Sequence, residues 1–529
     1  LPARVIHVDL KGPKIPFPVF KKLLQLYARW GINGVLVEYE HRLPALPLPR
    51  QFPRPARYTR GEVETLVGLS GKLGLEYIPF VQTLGHVEYL RHLPGTARLM
   101  ESPTYPSQLC PSRRGTRDYL ARLIAAVCDL HPTSRYFCVG LDETHQLGHC
   151  PVCKRRAADL GGKLELYLDH ARWVCGQVLQ RGRIPMLAGD MLLGNGREEL
   201  IAQLDPRAIV MPWDYTAVTP RSSYVLYKGW RPLKAAFRHD PTGARWATPL
   251  PAFPAPGGFA DDLPPRDLHK LGGLTRSLGQ VHLMANFPRP LWGICAAARS
   301  ADGLFHPDFA RGLHNCKQMV RTLLDRGGHG AIATVWARGH SFAPINSMWP
   351  LSLYALAQFA AMSWSGQTAP RALRRQRPAI AAELDLPPRF GEWTLDDVLW
   401  VLSNPTAGGA SARAATLRSV LDLLRRSKGK GMFFDGLLLA VELEIQWQEL
   451  LFLLDEARWW HPNRQIAPPV MGAGMRTRLK AILKDIDRLK PKARRFYVMW
   501  VGDKTSFETW WRGLFEVDRR LAARAVRLV

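Results

Sequence analysis

The sequence predicts an α/β protein, a (β/α)8 TIM barrel with a helical C-terminal domain, and three observations carry that expectation. Over residues 1–365, short β-branched or apolar runs recur, each followed by a polar loop and then a helical pattern. Eight such runs are present, the strand count of a closed parallel barrel. Clustered acids, histidines and tryptophans follow the runs directly, where a barrel of this kind carries its chemistry.

Taken in order, the runs are 4–9, 34–38, 76–81, 136–141, 184–190, 208–213, 291–297 and 331–336. They end in "HVDLKG", "LVEYEHR", "VQTLGH", "GLDETHQ", "LAGD", "MPWDYT", "LWGICAA" and "TVWARGH". Polarity resumes at any strand end, which accounts for acids and histidines but less well for Trp213 and Trp336. Residues 229–267 form a Pro/Gly-rich insert, expected as a long loop over one barrel face. Beyond it, residues 366–529 read as helical, with a long apolar pattern at 432–460 and a shorter amphipathic one at 477–489. The leucine-rich face of "DGLLLAVELEIQWQELLFLL" is expected against the barrel or a partner subunit, so a homodimer stays open.

A chain of 529 residues with 47% hydrophobic content can bury a large core. It has no run of about 18 uninterrupted apolar residues, so no membrane partner is expected. The sequence starts at Leu1 with a strand-like segment, which leaves a preceding targeting segment open. Eight cysteines, at 110, 128, 138, 150, 153, 175, 295 and 316, are too scattered for a disulfide scaffold and point to a reducing, cytoplasmic setting. Among them "HCPVC" has C-x-x-C spacing: with Cys110 or His145 it could grip zinc, or Cys150 and Cys153 could be a plain thiol pair or a disulfide. The net charge of +27 raises nucleic acid as a partner. Arginine is spread along the whole chain with no binding module, so no nucleic acid is expected, and salt-dependent DNA retention would expose the contrary.

The most informative stretch is "YFCVGLDETHQLG", where an apolar run ends in adjacent carboxylic acids, Asp142 and Glu143. Neighbouring carboxylates repel, and partial burial pushes at least one pKa upward, so the pair is costly unless chemistry or a cation uses it. The plainer account is a loop start in which one acid caps the next helix.

In order along the chain, "HVDLKG", "GVLVEYE", "VQTLGHVEYL", "VGLDETHQLG" and "WDYTA" resemble the β-N-acetylhexosaminidases of glycoside hydrolase family 20, specifically the hexosaminidase D branch. The resemblance covers roughly the first 365 residues. It implies a retaining exo-β-N-acetylhexosaminidase that removes terminal β-linked GalNAc or GlcNAc from a glycan or glycoconjugate without a cofactor or catalytic metal. In such substrate-assisted enzymes the sugar's own 2-acetamido oxygen attacks the anomeric carbon, giving an oxazolinium intermediate. The resemblance makes Glu143 the general acid and base, and Asp142 the partner of the acetamido N–H, its charge raising the pKa of Glu143.

Further roles follow from the same resemblance. His86 lies near the general acid, with Glu40 as the acid behind it. Arg4 grips the sugar hydroxyls O3 and O4, and Asp9 orients that loop. Trp213 and Trp336 wall the acetamido pocket, and Tyr215 holds the acetamido carbonyl. The chain also departs from the family pattern: Ala188 stands where a Trp is usual, leaving Asp190 as the acid of that loop, and "LWGICAA" lacks the usual Tyr-x-Asp. Arg338 replaces a Glu that receives O4 and O6, and its guanidinium suits neutral hydroxyls or a sulfate or carboxylate on the substrate. These departures keep a catalytically weak, amino-sugar-binding barrel as the alternative.

Overall fold

The computed structural model describes the chain except residues 45–56, 93–94, 105–106, 194–196, 216–224, 229–230, 233–273, 276–277, 300–301, 304, 337–347, 388, 404–408, 457–471 and 528–529. Most of the Pro/Gly-rich insert, and Arg338, therefore lie outside the described residues.

Eight parallel strands form the barrel: β1 (Ala3–Asp9), β2 (Gly34–Glu38), β3 (Glu76–Phe80), β4 (Tyr136–Cys138), β5 (Ile184–Ala188), β6 (Ile209–Met211), β7 (Trp292–Ala298) and β8 (Gly330–Val335). Their spatial order is β7-β8-β1-β2-β3-β4-β5-β6. The ring closes between β6 and β7: Trp213 bridges Ile294 in parallel, the Ile294 N–H donates to Pro212 (3.0 Å), and the Asp214 N–H donates to the Ile294 carbonyl (3.2 Å).

Each strand lies close to its expected run, and two of the shortfalls have local causes. β4 stops at Cys138 because Gly140 (φ 69°) and Leu141 (φ 78°) turn left-handed, although ladder bonds still run through Val139 N–H to Met186 (2.9 Å) and Ala188 N–H to Gly140 (2.9 Å). β5 stops at Ala188 because a short helix, Asp190–Leu193, begins immediately.

Alternation decides what faces inward. Val5, Leu36, Ile78, Phe80, Cys138, Met186, Ile209, Met211, Trp292, Ile294 and Ile332 fill the barrel interior, while the intervening residues pack outward against the helices. Helix Phe17–Arg29, for example, buries Val19, Phe20, Leu23, Leu24 and Tyr27. The following helix, Arg60–Lys72, starts on a capping box in which Thr59 and Glu62 exchange hydrogen bonds of 2.7 and 3.1 Å.

Beyond the barrel the described chain is helical, with Gly409–Ser427, Gly431–Glu456, Ala473–Phe496 and Lys504–Arg527 as the longest elements. The leucine-rich helix Gly431–Glu456 is covered within the chain: Leu437, Leu439, Ala440, Val441 and Leu443 are all buried. It meets the barrel through Glu444, which binds His306 of the loop after β7 (2.8 Å) as well as Arg413 (3.0 Å). The amphipathic pattern at 477–489 marks only the middle of Ala473–Phe496, which continues through Pro491.

Candidate active site

The same inward alternation, carried past the strand ends, builds a polar rim at the C-terminal mouth of the barrel. Along β1 the inward positions run Val5, His7, Asp9; after β3 they reach Gln82; after β4, Asp142; after β5, Asp190; after β6, Trp213 and Tyr215; after β8, Trp336. The expected residues Asp9, Glu40, His86, Asp142, Glu143, Asp190, Trp213, Tyr215 and Trp336 are gathered here.

Glu143, and Leu141 just before Asp142, stand on strained backbone. Among the described residues, seven non-glycine residues have positive φ, and Glu40 (45°), His86 (52°), Leu141 (78°) and Glu143 (49°) are four of them. Such strain is held in place by surrounding contacts. The β3 and β4 loops touch so closely that a Cβ at Gly85 would lie 2.5 Å from the Asp142 carbonyl oxygen. Neither acid caps a helix, because the next one begins at Pro151 behind Cys150.

His86 Nε2 lies 3.3 Å from Asp142 Oδ2 and 3.3 Å from Glu143 Oε2, so one ring nitrogen faces both acids. Burial would lower the pKa of His86, but the charge and hydrogen bond of Asp142, with Glu143, lift it well above its ordinary value. Burial would likewise raise Asp142, and His86 with Lys11 holds it far below the usual carboxylate range instead. The result is an imidazolium beside a carboxylate. Gln82 adds to it, its Nε2 donating to Asp142 Oδ1 (3.2 Å) and to Glu38 Oε1 (3.1 Å). Glu143 is 45% exposed and opens toward the mouth.

Asp190 is fully buried, and its Oδ2 accepts the Glu143 backbone N–H at 3.0 Å. Burial and the negative charge of Asp142 push its carboxyl up to about 7 despite that hydrogen bond. Of the acids facing the mouth, Asp190 therefore titrates near neutrality.

The opposite wall is aromatic. Trp213 stacks on Tyr215 (4.8 Å between centroids, 20°), Tyr215 meets Trp336 at 6.1 Å, and Trp336 leans over His7 at 4.7 Å. Burial, together with the negative charge of Asp142, raises the Tyr215 phenol well above its ordinary value and keeps it a neutral hydrogen-bond donor.

Beneath this wall lies a charge cluster that the sequence reading missed except for Asp9 and Glu40. Lys11 is buried with its Nζ 2.7 Å from Glu38 Oε1, 3.9 Å from Asp9 Oδ1 and 4.5 Å from the centre of the Trp336 ring. Burial opposes its charge, but Glu38, Asp9 and Glu40 outweigh that and raise its pKa. Glu38 would be raised by burial, yet Lys11 and His7 bring it to about 2. Glu40 is buried too, and desolvation with the charge of Glu38 lifts its pKa far above the carboxylate range despite Lys11. The signal for these residues was present: His7 and Glu38 are polar side chains on the inward phase of apolar strands.

Two expectations need correction. Arg4 is at the other end of β1, five residues from Asp9 and so roughly 16 Å away along the strand. An odd spacing also turns it to the other face. Its guanidinium binds the carbonyls of Gly31 (2.7 Å), Leu1 (2.6 Å) and Pro2 (3.1 Å) and lies over Trp364. Glu40 is at the rim with His41 Nδ1 3.8 Å from its carboxylate, whereas the acids that engage His86 are Asp142 and Glu143 themselves. Asp9 is at the rim end of β1, where its Oδ1 accepts the Lys11 N–H at 2.7 Å.

No family model matches the chain. Two curated relatives do, both named hexosaminidase D. The Bos taurus protein is 29% identical over 273 residues, covering 50% of this chain and 76% of the relative. The Homo sapiens protein is 30% identical over 275 residues, covering 50% of this chain and 54% of the relative, so the chain spans about half its length. Among solved structures, Flavobacterium johnsoniae chitobiase (FjGH20) aligns with a TM-score of 0.47 at 13% identity, over 98% of this chain and 78% of that one. The β-N-acetylhexosaminidase from Bacteroides fragilis NCTC 9343 aligns at 0.43 and 14%, over 72% and 71%. Half of the chain is thus similar to hexosaminidase D, a likeness that supports a protein like the glycoside hydrolase family 20 hexosaminidases.

Proposed function

We propose that this protein is a retaining exo-β-N-acetylhexosaminidase that removes terminal β-linked GalNAc or GlcNAc by substrate-assisted catalysis. The observation that carries the proposal is the pairing of Asp142 and Glu143 on one histidine, His86, across from the Trp213–Tyr215–Trp336 wall. The acetamido oxygen attacks the anomeric carbon as the glycosidic C–O bond breaks, and Glu143 gives its proton to the departing oxygen. Asp142, kept ionised by His86, accepts the acetamido N–H and balances the positive charge of the oxazolinium ring. Water then attacks the anomeric carbon and gives its proton to the Glu143 carboxylate, and the acetamido group reopens. The aromatic wall supplies a broad apolar surface for the sugar face and acetamido methyl, with the Tyr215 hydroxyl as donor to the acetamido carbonyl.

Hydrolysis of matched chromogenic β-GalNAc and β-GlcNAc glycosides tests the activity and reads the C4 preference together. Turnover of at least one supports the proposal. Saturable binding of both sugars without turnover would replace it with an amino-sugar-binding barrel, an outcome to which Ala188, a small residue at the C-terminal end of β5, gives physical grounds.

A further inference from the structure

Between the loops after β3 and β4, four ligand-bearing side chains converge. Glu101, Cys110, Cys150 and Cys153 are all buried, and one sulfur or carboxylate oxygen from each lies within 4.8 Å of the others. Cys110 Sγ is 3.2 Å from Cys153 Sγ and 3.5 Å from Cys150 Sγ. Glu101 Oε1 accepts the backbone N–H groups of His149 (2.7 Å) and Cys150 (2.9 Å), and its Oε2 is buried with no hydrogen-bond donor aligned to it among the described residues. His145, one of the two residues that could have completed the site, is not in this group; its N–H turns back to the Glu143 carbonyl at 2.8 Å.

Neither of the simpler accounts suits this arrangement. A disulfide would use two of three mutually close thiols and strand the third beside a carboxylate. Packing three thiols, which are only weak donors, around a buried carboxylate is costly without a cation. Tetrahedral zinc resolves both difficulties: with Zn–S near 2.3 Å, sulfur atoms in such a site stand ~3.8 Å apart, and a glutamate oxygen is an ordinary fourth ligand. The positive charge of Arg113, which interacts electrostatically with Cys110 and Cys150, offsets part of the excess negative charge of three thiolates and a carboxylate.

The cluster also joins two loops. Glu101 and Cys110 belong to the loop after β3, which carries His86 and is folded back on itself by the Met100–Leu109 bridge and the Leu109 N–H to Leu84 bond (2.9 Å). Cys150 and Cys153 follow Asp142 and Glu143 in the loop after β4. We propose that Glu101, Cys110, Cys150 and Cys153 form a structural zinc site that clamps the His86 loop to the loop bearing the acid pair. Binding releases the three thiol protons to solvent and moves no electrons. The metal takes no part in glycoside cleavage; it fixes the distance between His86 and its two carboxylates.

The test is elemental analysis of the untagged full chain, purified without chelator, beside Cys110→Ser and Glu101→Gln. One zinc per chain in the wild type, lost or substoichiometric in Cys110→Ser, is the expected result. Exchange with Co2+ should give the thiolate-to-cobalt charge-transfer band, diminished in Cys110→Ser and erased by added zinc. Glu101→Gln, which keeps an oxygen for the two N–H bonds, should fold and bind zinc more weakly in a chelator competition; it serves if Cys110→Ser does not fold. A wild type that takes up no zinc while its thiols are free overturns the proposal. So does a native disulfide among the three cysteines, or zinc binding unchanged in both variants.

Discussion

The two ends of the barrel handle polar side chains in opposite ways. At the N-terminal end Arg4 spends its guanidinium on backbone carbonyls of Leu1, Pro2 and Gly31, and Asn33 accepts the Arg4 N–H at 2.8 Å. Those groups tie loops together. At the C-terminal end the polar groups answer one another instead: Lys11 with Glu38 and Asp9, Gln82 with Glu38 and Asp142, His86 with Asp142 and Glu143, Asp190 with the Glu143 backbone. Mutual pairing shifts protonation equilibria and leaves side chains facing the mouth. Polar residues at one end are there for stability, and at the other they make a titrating surface.

Substitutions at the two ends should separate these roles. The largest effect is expected for Glu143→Gln, which removes the transferable proton. Its kcat should fall on the order of 10²–10⁴-fold, with the thermal midpoint barely moved because the side chain is half exposed. Steady-state kinetics with an unactivated glycoside, beside a melting curve, checks it; near wild-type turnover would remove Glu143 from the role.

Lys11→Met should instead strike folding. It leaves Glu38 and Asp9 buried without their cation, a loss of about 3–5 kcal/mol, visible as a lower urea midpoint. An unchanged midpoint would mean that the charge cluster is not holding the rim.

Asp190→Asn is a titration test of intermediate size. A carboxyl raised from its ordinary value of 3.8 to about 7 makes the folded state bind the proton more tightly than the unfolded state. Its favourable contribution is therefore full below the unfolded value and is lost as pH rises toward about 7. The wild type should lose stability across that window, and Asp190→Asn, still able to accept the Glu143 N–H, should lose less. Any fall in kcat/KM on the alkaline side with an apparent pKa near 7 should also shift or vanish in this variant. Parallel pH profiles for the two proteins would contradict the assignment.

The smallest effect on activity belongs to Arg4→Ala. It should cost about 1–2 kcal/mol of stability through lost carbonyl and Trp364 contacts, and leave kcat/KM as it was. A selective loss of activity would place Arg4 back at the substrate.

Much of this contrast was legible in the sequence, and the gaps are instructive. The strands could be located because β-branched runs alternate with amphipathic helices, and the acid pair stood out because two carboxylates end an apolar run. Arg4 was misplaced because spacing along a strand was weighed without direction: five residues up an extended chain crosses a barrel from one face to the other. Lys11 and Glu38 were passed over because each looks solvated when read alone. Only the register Asp9↔Glu38, which sets β1 and β2 side by side, shows that one buried lysine must serve both acids. The fourth member of the cysteine cluster escaped for a similar reason, since Glu101 is nine residues from Cys110 and is brought to it by a bridge, not a motif.

The central claim is that the substrate, and no protein carboxylate, supplies the nucleophile. The most direct measurement compares kcat/KM for a β-N-acetylhexosaminide with that for the matching hexoside lacking the 2-acetamido group, with a thiazoline mimic of the cyclised intermediate as inhibitor. The account predicts that only the acetamido substrate is cleaved efficiently, and that the thiazoline competes with it and binds more weakly to Asp142→Asn. Efficient cleavage of the plain hexoside, or a covalent sugar trapped on any carboxylate of the barrel, would contradict it.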